Sequence, residues 1–126
     1  ESLIMKIKLL RKRQNEVMSV LWGSDLPLSA NQICNENESL NMNTVQQVLK
    51  ALLKMQFIKV EDIGYSNTVL TRLYSPVVKQ ADYLQFLLGN NSTFDLTSSL
   101  IDRNKNLNEL KQLQVLIEKK CKELEE

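Results

Sequence analysis

The sequence contains no histidine. Without an imidazole there is no Ser-His-Asp or Cys-His nucleophile arrangement, and the usual histidine-bearing zinc sites lack a necessary ligand. Glycine is scarce at three residues, and neither GxGxxG nor GxxxxGK[ST] occurs, which excludes the common phosphate-cradling loops. The two cysteines, Cys34 and Cys121, stand far apart with no CxC or CxxC companion. Neither belongs to a recognisable metal or redox motif, and each reads as a small apolar filler. No cofactor, no metal and no enzymatic apparatus are therefore expected. Long apolar runs are missing as well: nothing approaches the ~20 residues that span a bilayer, and Glu1-Ser2-Leu3-Ile4-Met5-Lys6 lacks the apolar core of a secretory leader. The expectation is a cytoplasmic protein without membrane insertion.

Charge of one sign is also in short supply. Sixteen basic residues face fifteen acidic ones, for a net charge of +1, where nucleic-acid-binding modules often carry a pronounced basic excess. The distribution says more than the total. Residues 1–76 hold nine Lys/Arg and seven Asp/Glu, and residues 77–126 hold seven and eight, so the basic surplus lies in the N-terminal part. Its densest cluster, Arg11-Lys12-Arg13, suits phosphates, but a solvated charge run is the more ordinary reading.

What remains is an ordinary globular composition, 43% hydrophobic and 25% charged over 126 residues, enough for one small domain with an appendage. From Gln14, the residues Val17, Met18, Val20, Leu21 and Trp22 form a helix-like apolar face that Gly23-Ser24-Asp25 and Pro27 stop. Ser29-Ala30-Asn31-Gln32 matches the S-x-x-Q capping box and predicts a second helix to about Asn37. Asn41 is placed to cap a third, with Val45, Val48, Leu49, Leu52 and Met55 at helical spacing. The other face of that third helix carries Asn43, Gln47, Lys50 and Lys54 in one stripe, with Thr44, Gln46 and Ala51 beside it. Amides, a hydroxyl and ammonium groups so arranged suit base edges and phosphates in a major groove. They also describe an ordinary solvated face.

After Phe57 the period changes. A strand is expected over Phe57–Glu61, a turn around Gly64-Tyr65-Ser66-Asn67 and a second strand over Thr68–Tyr74. Three helices followed by a hairpin is the order of a winged helix-turn-helix, in which Arg72 or the wing turn reaches flanking phosphates. Arg72 also reads as a plain surface charge. Ser75-Pro76 ends the hairpin, dividing the chain into a winged-helix DNA-binding domain over residues 1–76 and a helical dimerisation region over 77–126. In the latter, Tyr83, Leu84, Phe86, Leu87 and Leu88 form one apolar cluster and Phe94, Leu96, Leu100 and Ile101 another, with Gly89-Asn90-Asn91 between. From Asn106 to about Glu125, the residues Leu107, Leu110, Leu113, Ile117, Cys121 and Leu124 form a stripe with Leu116 adjacent. That is too much apolar surface for a lone helix, and a second copy covers it most simply. The fold class is mainly α with a small β-hairpin.

Four stretches in this order, Gln14-x-Glu16-Val17-Met18-x-Val20-Leu21-Trp22, Leu28-Ser29-Ala30-x-x-Ile33, Thr44-Val45-x-x-x-Leu49-x-x-Leu52 and Leu73-Tyr74-Ser75-Pro76, resemble the penicillinase-repressor family, which includes methicillin-resistance and copper-responsive repressors. The resemblance implies a homodimeric winged-helix repressor of resistance or stress genes, bound to palindromic operator DNA. It implies that Asn43, Thr44, Gln46 and Gln47 face bases, while Ser29, Lys50 and Arg72 meet phosphates. It also implies a membrane sensor-protease acting on the repressor through its signalling pathway. The chain departs from the family pattern in carrying Asn43, Gln46 and Ala51 where relatives often have Lys or Arg, and in extra residues, Ile63–Val69, around the wing tip. Val77–Phe94 contains no Asn-Phe bond, the common cleavage point, and Cys121 lacks the CxC partner of copper-responsive members. The competing reading is a winged-helix protein-interaction module in which Asn43, Gln47 and Ala51 contact a protein. An enzyme comes third, to be revived only by a pocket of perturbed Asp, Lys or Cys groups.

Overall fold

Capping chemistry sets the first three helices. In α1 (Lys12–Trp22) the Gln14 carboxamide accepts from the Arg11 amide at 2.9 Å. In α2 (Ala30–Glu36) the expected capping box is present: Ser29 Oγ accepts from the Gln32 amide at 3.2 Å, and Gln32 Oε1 accepts from the Ser29 amide at 2.8 Å. Asn41 caps α3 (Met42–Lys54) by accepting from the Thr44 amide at 2.8 Å. These elements belong to a computed structural model that describes residues 7–66, 69–89 and 93–126. Glu1–Lys6, the expected turn residue Asn67, the expected strand start Thr68 and the expected break at Asn90-Asn91 lie outside the described residues.

The apolar faces of the three helices meet. Val17, Met18 and Leu21 of α1, Ala30 and Ile33 of α2, and Val45, Val48, Leu49 and Leu52 of α3 are buried in one core. At the end of α3, Gln56 takes a left-handed φ of 62°, and the Phe57 amide donates back to the Leu52 carbonyl at 3.0 Å, a helix-ending turn that delivers Phe57 into the core. Phe57 is fully buried.

The hairpin pairs β1 (Ile58–Ser66) with β2 (Val69–Pro76) in antiparallel register. Both strands run further than the sequence pattern suggests. Gly64-Tyr65-Ser66, expected in the turn, is strand, because a bulge between Val60 and Asp62 re-phases β1 and carries the pairing on to Ser66 and Val69. Leu28 adds a bridge on the outer edge of β2, exchanging both amide-to-carbonyl hydrogen bonds with Tyr74 at 2.8 and 3.0 Å. Three helices and a wing closed by this bridge form a winged helix-turn-helix.

The compact N-terminal unit does not end at Pro76 but at Gly89. It includes α4 (Gln80–Leu88), because Tyr83 is buried in the same core. Its ring lies edge-on to Phe57 and beside Trp22 and Phe86, with centroids 5.7 to 6.0 Å apart, and its hydroxyl accepts from the Leu10 amide at 2.9 Å. The Trp22 indole N–H donates to the Val78 carbonyl at 2.9 Å, fixing the strap between wing and α4. Gly89, with φ of 64°, ends α4 in a conformation that suits glycine.

The second unit, Asn90–Glu126, holds α5 (Phe94–Arg103) and α6 (Leu107–Glu125). Asn104 and Asn106 form the corner between them: the Asn106 amide donates to Asn104 Oδ1 at 2.8 Å, and Asn106 Oδ1 accepts from the Glu109 amide at 3.2 Å. Neither helix contains a buried residue. Of the two cysteines, Cys34 packs against the N-terminal core, while Cys121 is exposed on α6 rather than filling an interior.

Tyr83→Phe removes the acceptor for the buried Leu10 amide while keeping the ring. We expect a loss of about 1–2 kcal/mol in urea unfolding with an unchanged m value; an unaltered midpoint would mean that the Leu10 amide finds another partner.

Candidate nucleic-acid interface

Burial of one side of α3 decides what the other side shows. With Val45, Val48, Leu49 and Leu52 in the core, Asn43, Gln46, Gln47, Lys50 and Lys54 stand exposed along the opposite stripe. Thr44 and Ala51 are half-buried at its margin. The first turn of α3 contains no acidic residue, and Lys54 lies in its last turn, so carboxylates do not interrupt the stripe. Gln46 Nε2 rests against Met42 Sδ at 3.7 Å, a contact weak enough for both amide ends to be used elsewhere.

The wing brings the remaining candidate cation to this face. Gln46, Gln47, Lys50 and Arg72 line one shallow cleft between α3 and β2, floored by Leu53 and Tyr74. Neither Lys50 nor Arg72 is in an ion pair with a described residue. The cationic ends therefore keep their charge available to an anion. The wing's other basic residue, Lys59, is neutralised: it pairs with Glu61 at 3.1 Å. The Ser75 hydroxyl donates to the same carboxylate at 2.7 Å, and this hydrogen bond, with Lys59, holds Glu61 below the ordinary carboxylate range.

Ser29 stands apart from that group. It is buried, and its hydroxyl oxygen serves as the α2 cap, in a separate cleft with Asn31, Gln32, Tyr65 and Thr71. Arg11 and Lys12 are exposed at the start of α1, and Arg13 pairs with Glu16 at 2.8 Å. The sequence reading missed Leu53, Leu70 and Tyr74, which line the clefts beside α3. For Leu70 and Tyr74 the signal was the alternation Leu70-x-Arg72-x-Tyr74, which places both on the side of the strand that carries Arg72.

In the second unit, Leu107, Leu116, Ile117 and Leu124 are exposed, as is Val115, and Leu110 and Leu113 are half-buried. The stripe expected from spacing is thus present on α6 as an apolar surface.

Against known families, the penicillinase repressor model matches residues 10–119. The chain belongs to the penicillinase repressor family. The match takes in the winged helix and most of the second unit, and it makes the protein a transcriptional regulator. No curated protein matches the chain. Among solved structures, MarR of Staphylococcus aureus in complex with salicylate and kanamycin aligns with 92% of this chain and 73% of its own, at 14% identity and a TM-score of 0.45, a likeness that carries no argument here. No helix among the described residues is long and apolar enough to cross a membrane.

Ser29→Ala separates capping from ligand contact. We expect it to cost about 1 kcal/mol of stability through the lost α2 cap, read as a lower thermal midpoint. Unchanged stability would return the Ser29 hydroxyl to the list of groups available to a phosphate.

Proposed function

We propose that this member of the penicillinase repressor family is a sequence-specific DNA-binding repressor that acts as a homodimer on a dyad-symmetric operator. The observation that carries the reading is the single cleft in which Gln46, Gln47, Lys50 and Arg72 converge. Carboxamides pair bidentately with adenine, and unpaired cations beside them supply phosphate contacts that fix register. Asn43 and Thr44 at the start of α3 extend the reading edge, and Lys54 adds a phosphate contact at its end. Ser29 contributes by holding the start of α2.

Dimerisation through Leu107, Leu110, Leu113, Leu116, Ile117 and Leu124 is supported by the absence of any buried residue from α5 and α6. A unit of this length with no interior of its own gains burial at ~25 cal/mol per Å2 from a second copy, and a two-fold pair presents two α3 helices to two half-sites. Family membership supports resistance or stress genes as targets, the cytoplasm as the compartment and a membrane sensor-protease as the upstream partner.

Binding measured by fluorescence anisotropy on a panel of duplexes with single base-pair changes tests the reader. Gln47→Ala should lose about 1–3 kcal/mol of discrimination at particular base pairs, and Lys50→Ala should weaken all duplexes alike and lower the salt slope by about one. Weak salt dependence and no preference among duplexes would instead identify a protein-binding module. For the dimer, Leu113→Asp with Ile117→Asp should sediment as a monomer and lose tight operator binding; a variant that remains dimeric would remove α6 from the interface.

A further inference from the structure

A cleft of about 720 Å³ opens between the end of α1, the connection over residues 24–28 and the end of α2. It shares no lining residue with the clefts beside α3. Its size falls in the range, roughly 300–1,000 Å³, in which apolar walls cover the body of a small organic molecule and a few polar groups orient it. The apolar part is Val20, Leu26 and Leu28, and the fold holds it ready. Leu28 is locked to β2 by its two hydrogen bonds with Tyr74, at 2.8 and 3.0 Å. Ser24 Oγ donates to the Leu26 carbonyl at 2.7 Å and accepts from the Leu26 amide at 3.1 Å. That tight turn keeps Leu26 at the rim, 74% exposed.

Two independent observations say what the cleft takes. The first is side-chain charge. Glu16, Asp25 and Glu36 line it, and no Lys or Arg does. Arg13 offsets Glu16 at 2.8 Å, whereas Asp25 and Glu36 are exposed and in no ion pair with a described residue. The second is the backbone. Ser19, Val20 and Gly23 of the lining belong to the last turn and the cap of α1, where a helix presents free carbonyl ends and about half a negative charge. The last turn of α1 carries no basic residue to offset it. Carboxylates and a helix C-terminus thus converge on apolar walls. A bare metal ion makes no use of such walls, and the described residues hold no group of acidic side chains placed to ligate one. An anion is repelled there, and a neutral ligand leaves the negative groups without a partner.

We propose that this cleft binds a small amphipathic amine, its apolar body against Val20, Leu26 and Leu28 and its ammonium group donating to Asp25, Glu36 and the carbonyl end of α1. The site does not rest on α3 as a DNA reader, yet it adjoins that helix. Asn37 lines the cleft, its Oδ1 accepts from the Ser39 amide at 3.0 Å, and its carbonyl accepts from the Leu40 amide at 3.0 Å. A ligand in the cleft therefore touches the turn that leads into α3.

The test uses the full chain without DNA, so its outcome is separate from that of the operator measurements. The probe is dansyl cadaverine, an aromatic body with a primary ammonium tail. Its fluorescence should rise and shift to the blue in a saturable way, and the NMR methyl signals of Val20, Leu26 and Leu28 should move with the same midpoint. Dansyl aminohexanoate, which ends in a carboxylate, should bind about tenfold or more weakly. Asp25→Asn with Glu36→Gln changes two exposed side chains, so its thermal midpoint should match the wild type. Its affinity for the amine should fall about tenfold, and its preference for amine over carboxylate should shrink. Leu26→Ser should weaken both probes. Absence of saturable binding, equal affinity of the wild type for the two probes, or a double variant that holds the amine as tightly as the wild type overturns the site. Methyl shifts confined to the α6 leucines would place the probe on the second unit and likewise overturn it.

Discussion

The burial of Val45, Val48, Leu49 and Leu52 against α1 and α2 is the constraint on which the rest of the structure depends. It fixes the rotation of α3 about its own axis, and rotation is what decides which side chains look outward. A helix turned by one residue, about 100°, would bury part of the Asn43–Lys54 stripe. The same helix ends by placing Phe57 in the core, and Phe57 is the first residue of the chain leading into the wing. Its carbonyl accepts from both the Val77 and Val78 amides, at 2.8 and 3.2 Å, so the outgoing chain is tied to the incoming one. The α3 helix and the wing are therefore oriented by one packing arrangement, and Arg72 and Lys50 line one cleft because of it.

Electrostatics in this molecule act through placement rather than excess. A net charge of +1 gives little long-range attraction to a polyanion, yet Lys50 and Arg72 are free of described ion pairs while Lys59 is matched by Glu61 and Arg13 by Glu16. Among the described cations outside the ion pairs, Lys50 and Arg72 are the two that share a cleft with the α3 carboxamides. Affinity built on few phosphate contacts depends less on salt than that of strongly basic modules and asks more of amide pairing and shape.

Much of this was legible in the sequence where the signals are local. Ser29 with Gln32, and Asn41 before an apolar run, announced helix starts by hydrogen bonds that span three residues. The α3 stripe followed from spacing alone, as did the exposed leucines of α6. Two features were hidden because they depend on distant partners. The strand character of Gly64-Tyr65-Ser66 arises from a bulge whose register is set across the hairpin, and nothing in those three residues states it. The membership of α4 in the first unit depends on Tyr83 meeting Leu10, Trp22 and Phe57, contacts between residues far apart in the chain. Ser29 shows the reverse case: a residue whose type suits a phosphate contact is occupied by the cap that its own position creates. Arg72 was recognisable as a surface cation, but its neighbourhood with Gln46 and Lys50 emerges only when the wing folds beside α3.

The central claim is that two α3 helices, held by a two-fold pair, lie in successive major grooves on one side of the duplex. Hydroxyl-radical footprinting of the full chain on DNA upstream of its coding sequence tests that arrangement most directly. The account predicts two equivalent protected segments related by a dyad, with centres a whole number of helical turns apart, each turn about 34 Å. Protection without symmetry, or none above that of scrambled DNA, would contradict it.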